Sequence, residues 1–303
     1  MDRSNDSLEQ DDRLPTSGTR ARTGAFSPAS AATVEAEKTS ANKTGGFIPV
    51  QSLPAQPVLR EVTTGPYSSR KIILQVFLRI FRYLTWAAAA WVAIVVCLVM
   101  IFRFVDPPAS ALMLQQRLSG DEVAQQWVAL DDISPNVIRS VLVSEDGRFC
   151  QHWGVDYQEL QNAIEQSNDG IARGASTISM QVTKNMFLWQ SKSYLRKAIE
   201  IPLTYVIEAV WNKRRIMEVY LNIAEWGPGI FGVEAASQFH FGKSAKRLSE
   251  REAARLAVTL PNPYARDAGD PGPGTRRLAA EIQERAQSVT RSQVACVAAA
   301  IRP

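Results

Sequence analysis

The run Tyr83–Phe102, YLTWAAAAWVAIVVCLVMIF, holds 20 residues without one charge. Wound as an α-helix at about 1.5 Å per residue, it reaches about 30 Å, the hydrocarbon thickness of a bilayer. Tyr83 and Trp86 stand near one end, where interfacial aromatic residues are expected. A buried core helix is the other way to hide such a run, but core helices of this length ordinarily keep a polar face. The sequence therefore predicts a single membrane span.

Charge placement orients it. The chain carries 34 Lys+Arg against 30 Asp+Glu, a formal net charge of +4. Residues 1–69 hold 7 basic and 8 acidic side chains, and residues 103–303 hold 23 and 22. The excess is Arg70, Lys71, Arg79 and Arg82, directly before the run, whereas Arg103 after it is offset by Asp106. Positive charge favours the cytoplasmic side, so the N-terminus is expected inside and the domain after the span outside. So localised an excess excludes a nucleic-acid binder driven by bulk charge. Ala109-Ser110-Ala111 looks like a signal-peptidase site, but the segment ahead of the apolar run is far too long for a signal peptide's n-region.

Three regions follow. Residues 1–69, rich in Ser, Thr, Ala, Gly and Pro with no persistent period, are expected to form a disordered cytoplasmic tail. Residues 70–103 are the basic flank and span, and 104–303 the outer domain. That domain reads as mainly α. The segment 193–211 has helical apolar spacing, with Pro202 as a kink or boundary. In 213–222, Ile216, Val219 and Tyr220 share one face. Ser249 and Glu252 make a capping box, and Pro261 ends the helix that it opens. Gly227-Pro228-Gly229 and Pro261-Asn262-Pro263 read as turns, and no alternating run is long enough to build a sheet. Cys150 and Cys296 would share an oxidising compartment, which leaves their pairing open, and no spacing suggests zinc.

Chemistry concentrates in two stretches. Glu145 and Asp146 are adjacent acids followed by Phe149 and His152, an unusual mixture for a solvated helix face. Residues 174–185 (GASTISMQVTKN) are dense in hydroxyl and amide groups, although Ser176 or Thr177 would also serve as a helix cap. From Arg173 to Arg215 stand eight cations and two acids, Glu200 and Glu208. Such a run is ordinarily a solvated face; cations converging with hydroxyls beside one carboxylate would instead suit a phosphorylated substrate.

These segments resemble the peptidoglycan glycosyltransferase family, the transglycosylase domain of bifunctional penicillin-binding proteins and its stand-alone membrane-anchored relatives. The blocks run in order: E-D-x-x-F-x-x-H-x-G at 145–154, G-x-S-T-I-x-x-Q-x-x-K-N at 174–185, R-K-x-x-E at 196–200, I-x-E-x-Y-L-N at 216–222, and Pro261-Asn262-Pro263-Tyr264. Pro107 to Met113 resembles the family's entry segment, which accounts for the apparent cleavage site. The resemblance covers roughly 106–270. Met180 departs from it, standing where the family usually has the first of two Gln residues. The lack of a second domain after 270 points to the monofunctional branch, and Ile223-Ala224-Glu225-Trp226-Gly227 is worded as in Gram-negative enzymes.

The resemblance implies a lysozyme-like helical domain behind a single N-terminal transmembrane helix, in the inner membrane with its catalytic domain in the periplasm. It implies polymerisation of lipid II into β-1,4-linked glycan strands, an inverting transfer with undecaprenyl pyrophosphate as leaving group. Glu145 matches the base and Glu200 the second acid. Asp146, Phe149, His152, Ser176, Thr177, Gln181, Lys184, Asn185, Lys192, Arg196 and Lys197 match substrate-site positions, with Asp146, Phe149 and His152 expected to shape the base's surroundings. Lys184, Lys192, Arg196 and Lys197 would stabilise the pyrophosphate, with room left for a divalent metal, Mg or Mn. Arg196 and Lys197 lie four and three residues before Glu200, helical spacing for pairing with it. Met186–Trp189, flanked by cations, is expected to dip into the outer leaflet, with ordinary core as the alternative. The implied partners are lipid II, the growing strand, the inner membrane and other wall-synthesis or division proteins, with no nucleic acid. Two other classes are a membrane-anchored muramidase on the same fold and a non-catalytic wall-synthesis scaffold.

Overall fold

The computed structural model describes residues 66–165, 174, 176–191 and 193–300. The expected disordered tail at 1–69 therefore lies almost wholly outside the described residues, as do Arg173 and Lys192. Helix α1, Pro66–Phe102, starts before the uncharged run and takes in the basic cluster. At about 1.5 Å per residue its 37 residues make about 55 Å. The stretch Arg70–Phe102 is long and apolar enough to cross a membrane. Within Tyr83–Phe102 only Val95 and Val99 are buried, and Trp86 is 70% exposed. A core helix would hide these side chains, so that alternative fails, and the exposed apolar surface fits a lipid environment.

The end of α1 is tied to the following domain. Trp211 Nε1 donates to the Val99 carbonyl at 2.7 Å, and Arg215 donates to the carbonyls of Phe102 (3.0 Å) and Val105 (2.8 Å). Arg215 also pairs with Asp106 at 2.9 Å. Val99 and Phe102 belong to the last turn of α1, whose carbonyls have no partner inside the helix, so these donors cap it. The supposed cleavage site is a helix start: Ser110 is buried and accepts from Met113 N at 3.2 Å at the head of α2, Ala111–Leu118.

The domain core is helical. Ser134 caps α3, Pro135–Glu145, with Pro135 in its first turn, and Val137, Ile138, Val141 and Leu142 are buried. Next come α4, Tyr157–Glu165, α5, Ile178–Phe187, α6, Tyr194–Val210, and α7, Lys213–Ile223. Helix α6 runs through Pro202, so that residue is not a boundary. Ile216, Val219 and Tyr220 of α7 are all buried, as their spacing requires.

A small sheet was not expected, and one is present. Strands β1 (Ala124–Gln125), β2 (Glu225–Gly227) and β3 (Ile230–Phe231) lie in the order β1-β3-β2, β1 parallel and β2 antiparallel to β3. At two or three residues each they are too short to show alternation in sequence. Helix α8, Val233–Phe241, follows, then α9, Glu250–Ala257, with the Ser249/Glu252 capping box in place. Helix α10, Pro273–Gln287, packs with α9 against α3, while α5 packs against both α6 and α7. The chain closes through α11, Arg291–Val294, and a 3-10 turn over Ala295–Ala300, which packs on α7. Cys150 and Cys296, whose pairing the sequence left open, form a disulfide with Cα atoms 5.5 Å apart.

Candidate active site

Glu145 is the last residue of α3, and its carboxylate is half-buried. Gln181 Nε2 donates to Oε2 at 3.0 Å and Ser144 Oγ donates to Oε1 at 3.2 Å. The Gln181 carbonyl in turn accepts from the buried Tyr220 hydroxyl at 3.3 Å, which fixes which way the amide faces. Burial raises the Glu145 carboxyl above its ordinary range; the Gln181 and Ser144 bonds oppose this, and the neighbouring Asp146 charge adds to it. The positive charge of Arg266 also acts on Glu145, from the loop after α9. A carboxylate held toward neutrality is a stronger base at working pH than an exposed one.

Asp146 plays a different part. Its buried carboxylate accepts from His152 Nε2 at 2.9 and 3.0 Å and from Ile178 N at 3.0 Å. An acid at a helix N-terminus is favourable, so Asp146 joins the end of α3 to the start of α5. Thr177 caps α5, accepting from Met180 N at 3.2 Å and donating to the Gly154 carbonyl at 2.5 Å. Gly154 has φ +83°, and a Cβ there would stand 3.1 Å from Thr204 Cγ2, which explains the glycine that ends the first block. Phe149 is fully buried beneath Lys213, whose ammonium lies 4.4 Å from the ring centroid. With the His152 side chain also buried, Phe149 and His152 offer a ligand no surface; they pack the wall behind Glu145.

Gln181, Lys184 and Asn185 follow helical spacing along one face of α5 and line a cleft of about 480 Å³ with Gln116, Tyr220 and Tyr264. Burial lowers the Lys184 ammonium below the ordinary lysine range; the charges acting on it are Glu200, which opposes this, Arg196, Lys197 and Glu145. Among the described residues Lys184 has no hydrogen-bond or ion-pair partner. Glu145, Ser176 and Thr177 line a smaller cleft of about 230 Å³, also bordered by Arg148 and Arg285. The Gln181–Glu145 hydrogen bond connects the two.

Glu200 is buried in α6 and takes two cations: Arg196 pairs with Oε2, and Lys197 Nζ lies 2.7 Å from Oε1. Lys197 also reaches Ser176 Oγ at 3.4 Å. The sequence reading missed Gln116, Tyr220, Glu225, Tyr264 and Arg266 as site residues. The Glu225 carboxylate accepts from Gln116 and Tyr264, both at 3.0 Å, across the mouth of the larger cleft. Tyr220 and Tyr264 stand inside or beside the recognised blocks, so proximity to them was the available signal; Arg266 had none. The Met180 side chain is buried and makes no hydrogen bond among the described residues. Met186 and Leu188 are core, and of the apolar patch only Trp189 is well exposed, so a membrane-dipping patch over 186–189 is not what the fold provides. Among the described residues no three His, Cys, Asp or Glu side chains converge to hold an ion.

Residues 112–293 match the family model described as Transglycosylase. The biosynthetic peptidoglycan transglycosylase of Rhizobium meliloti (strain 1021) is 53% identical over 180 residues, covering 59% of this chain and 76% of that protein. The protein of that name from Agrobacterium fabrum is 51% identical over 191 residues (63% and 84% covered), and that from Mesorhizobium japonicum 55% over 181 residues (59% and 77%). With more than half its length matched and every quoted block inside the aligned region, this chain belongs to the transglycosylase family.

Proposed function

We propose that the protein is a membrane-anchored peptidoglycan glycosyltransferase that polymerises lipid II into β-1,4-linked glycan strands. The observation that carries this reading is on α5. Gln181, which orients Glu145, and Lys184, an ammonium without a partner among the described residues, lie three residues apart on one cleft wall, about 4.5 Å along the helix axis. A sugar hydroxyl is a poor nucleophile and needs a base within hydrogen-bond reach, the role assigned to Glu145. A departing pyrophosphate needs positive charge rather than a proton, and Lys184 with Arg196 and Lys197 supplies it. Lys192 is assigned to the same group from its sequence position. Glu200 organises Arg196 and Lys197 and keeps two cations close together without mutual repulsion. Ser176 and Asn185 are assigned to substrate contact.

The 4-hydroxyl of one lipid II gives its proton to Glu145 and attacks the anomeric carbon of the growing strand. The bond to pyrophosphate breaks as the β-1,4 bond forms, with inversion. A glycoside hydrolase would instead need a carboxylic acid placed to protonate an alkoxide-like leaving oxygen. For topology, the reading is an N-terminus in the cytoplasm and the domain after α1 in the periplasm, at the inner membrane. The Cys150–Cys296 bond supports it, since disulfides persist in oxidising compartments. Other wall-synthesis or division proteins remain proposed partners.

The reading is tested with full-length protein in proteoliposomes. Given lipid II it is expected to build glycan strands, and given preformed glycan to leave it uncut. Cleavage of the polymer without synthesis would establish the muramidase alternative instead.

A further inference from the structure

The disulfide joins two segments, each linked to Glu145 by its own chain of contacts. Cys150 lies in the turn after α3, between buried Phe149 and His152, whose ring donates to Asp146 beside Glu145. Cys296 lies in the closing 3-10 turn, anchored by buried Val294 and Val297 and packed on α7. Helix α7 carries Tyr220, which donates to Gln181, which donates to Glu145. The contacts thus form a ring: Glu145, Asp146, the 147–152 turn, the disulfide, the C-terminal turn, α7, Tyr220, Gln181 and Glu145 again. The Cys296 N–H adds a 3.3 Å bond to Cys150 Sγ. With the disulfide open, that long-range closure depends on this weak bond and on packing.

We propose that Cys150 and Cys296 are positioning residues for Glu145, and that closing their disulfide outside the cytoplasm brings the enzyme to full activity. Closure joins the two Sγ atoms, releases two protons and passes two electrons to the disulfide of a thiol–disulfide oxidoreductase, which leaves as its dithiol. Both cysteines are half-buried, so the bond is within reach of such exchange. The groups facing Glu145 are Asp146 in its own loop, Lys184 on α5, Tyr220 on α7 and Arg266 after α9; Arg148, Asp156, Glu159 and Arg285 line its cleft. Opening the ring lets water reach the carboxyl, and since burial raises it, the acid limb of the pH profile moves to lower pH.

The proposal rests on the polymerase reading and is tested apart from it. Full-length protein carrying Cys97→Ser, which leaves only the pair, is assayed with lipid II in proteoliposomes, first oxidised, then after dithiothreitol, then after reoxidation with oxidised glutathione. A Cys150→Ser/Cys296→Ser variant is run alongside, with folding followed by circular dichroism below the melting point. The expected result is a kcat at least about tenfold lower in the reduced and doubly substituted proteins, with KM within about twofold and the acid limb displaced downward. Reoxidation restores the parent and not the variant. Equal kcat and pH profile in oxidised and reduced protein overturns the proposal, as does a loss that only tracks unfolding. Failure of the oxidised parent to polymerise at all would instead refute the polymerase reading.

Discussion

Burial works against the Glu145 charge, and Gln181 and Ser144 work for it. A group whose folded value is raised stabilises the fold below the unfolded carboxylate range and loses that contribution as pH rises through the folded value. Replacing Glu145 by Gln removes the penalty at neutral pH. The expected outcome is a melting temperature at pH 7.5 no lower than the parent's, higher by about 2–4 °C per kcal/mol relieved, with the difference closing as pH falls through the raised Glu145 value toward the ordinary carboxylate range. Thermal denaturation of both proteins across that range checks it; a large drop at pH 7.5 would make Glu145 a structural residue. Glu145 was legible in sequence because it opens a recognisable block. Arg266 and the Gln181–Tyr220 link were not, because they meet Glu145 only once α3, α5, α7 and the loop after α9 have packed.

At the scale of elements, what was legible was local. The Ser249/Glu252 box reads directly from sequence because cap and partner are three residues apart, and the structure forms both bonds. Ser249→Ala is expected to cost about 0.5–2 kcal/mol and to leave turnover unchanged, since Ser249 is exposed and lines neither cleft. Urea unfolding together with an activity assay checks this; unchanged stability would mean that the box contributes nothing. Pro202 shows the opposite limit. A helix interior normally excludes proline, yet α6 continues through it, because Leu203 and Ile207 are buried and Glu200 is held by two cations. Tertiary contacts outweighed the local signal. The three short strands were invisible for a related reason: each is specified by its neighbours, with too few residues to show a period.

Over the whole molecule, the apolar run was the most legible signal, since its length and lack of charge predict a spanning helix without any tertiary contact, and one continuous helix covers it. The 146-residue separation of Cys150 and Cys296 put their pairing beyond sequence reasoning, because nothing local reports which distant segments meet. Topology is checked by labelling. A cysteine placed at exposed Ser119, in a Cys97→Ser background, is expected to react with a membrane-impermeant maleimide added outside spheroplasts. Reaction only after the inner membrane is broken would reverse the orientation. The central claim joins this anchored architecture to one carboxylate, and the most direct test is lipid II polymerisation by full-length parent and Glu145→Gln proteins in proteoliposomes. The account predicts long strands from the parent and a rate about 10²–10⁴-fold lower from the folded variant. Polymerisation by the variant at the parent's rate would contradict it.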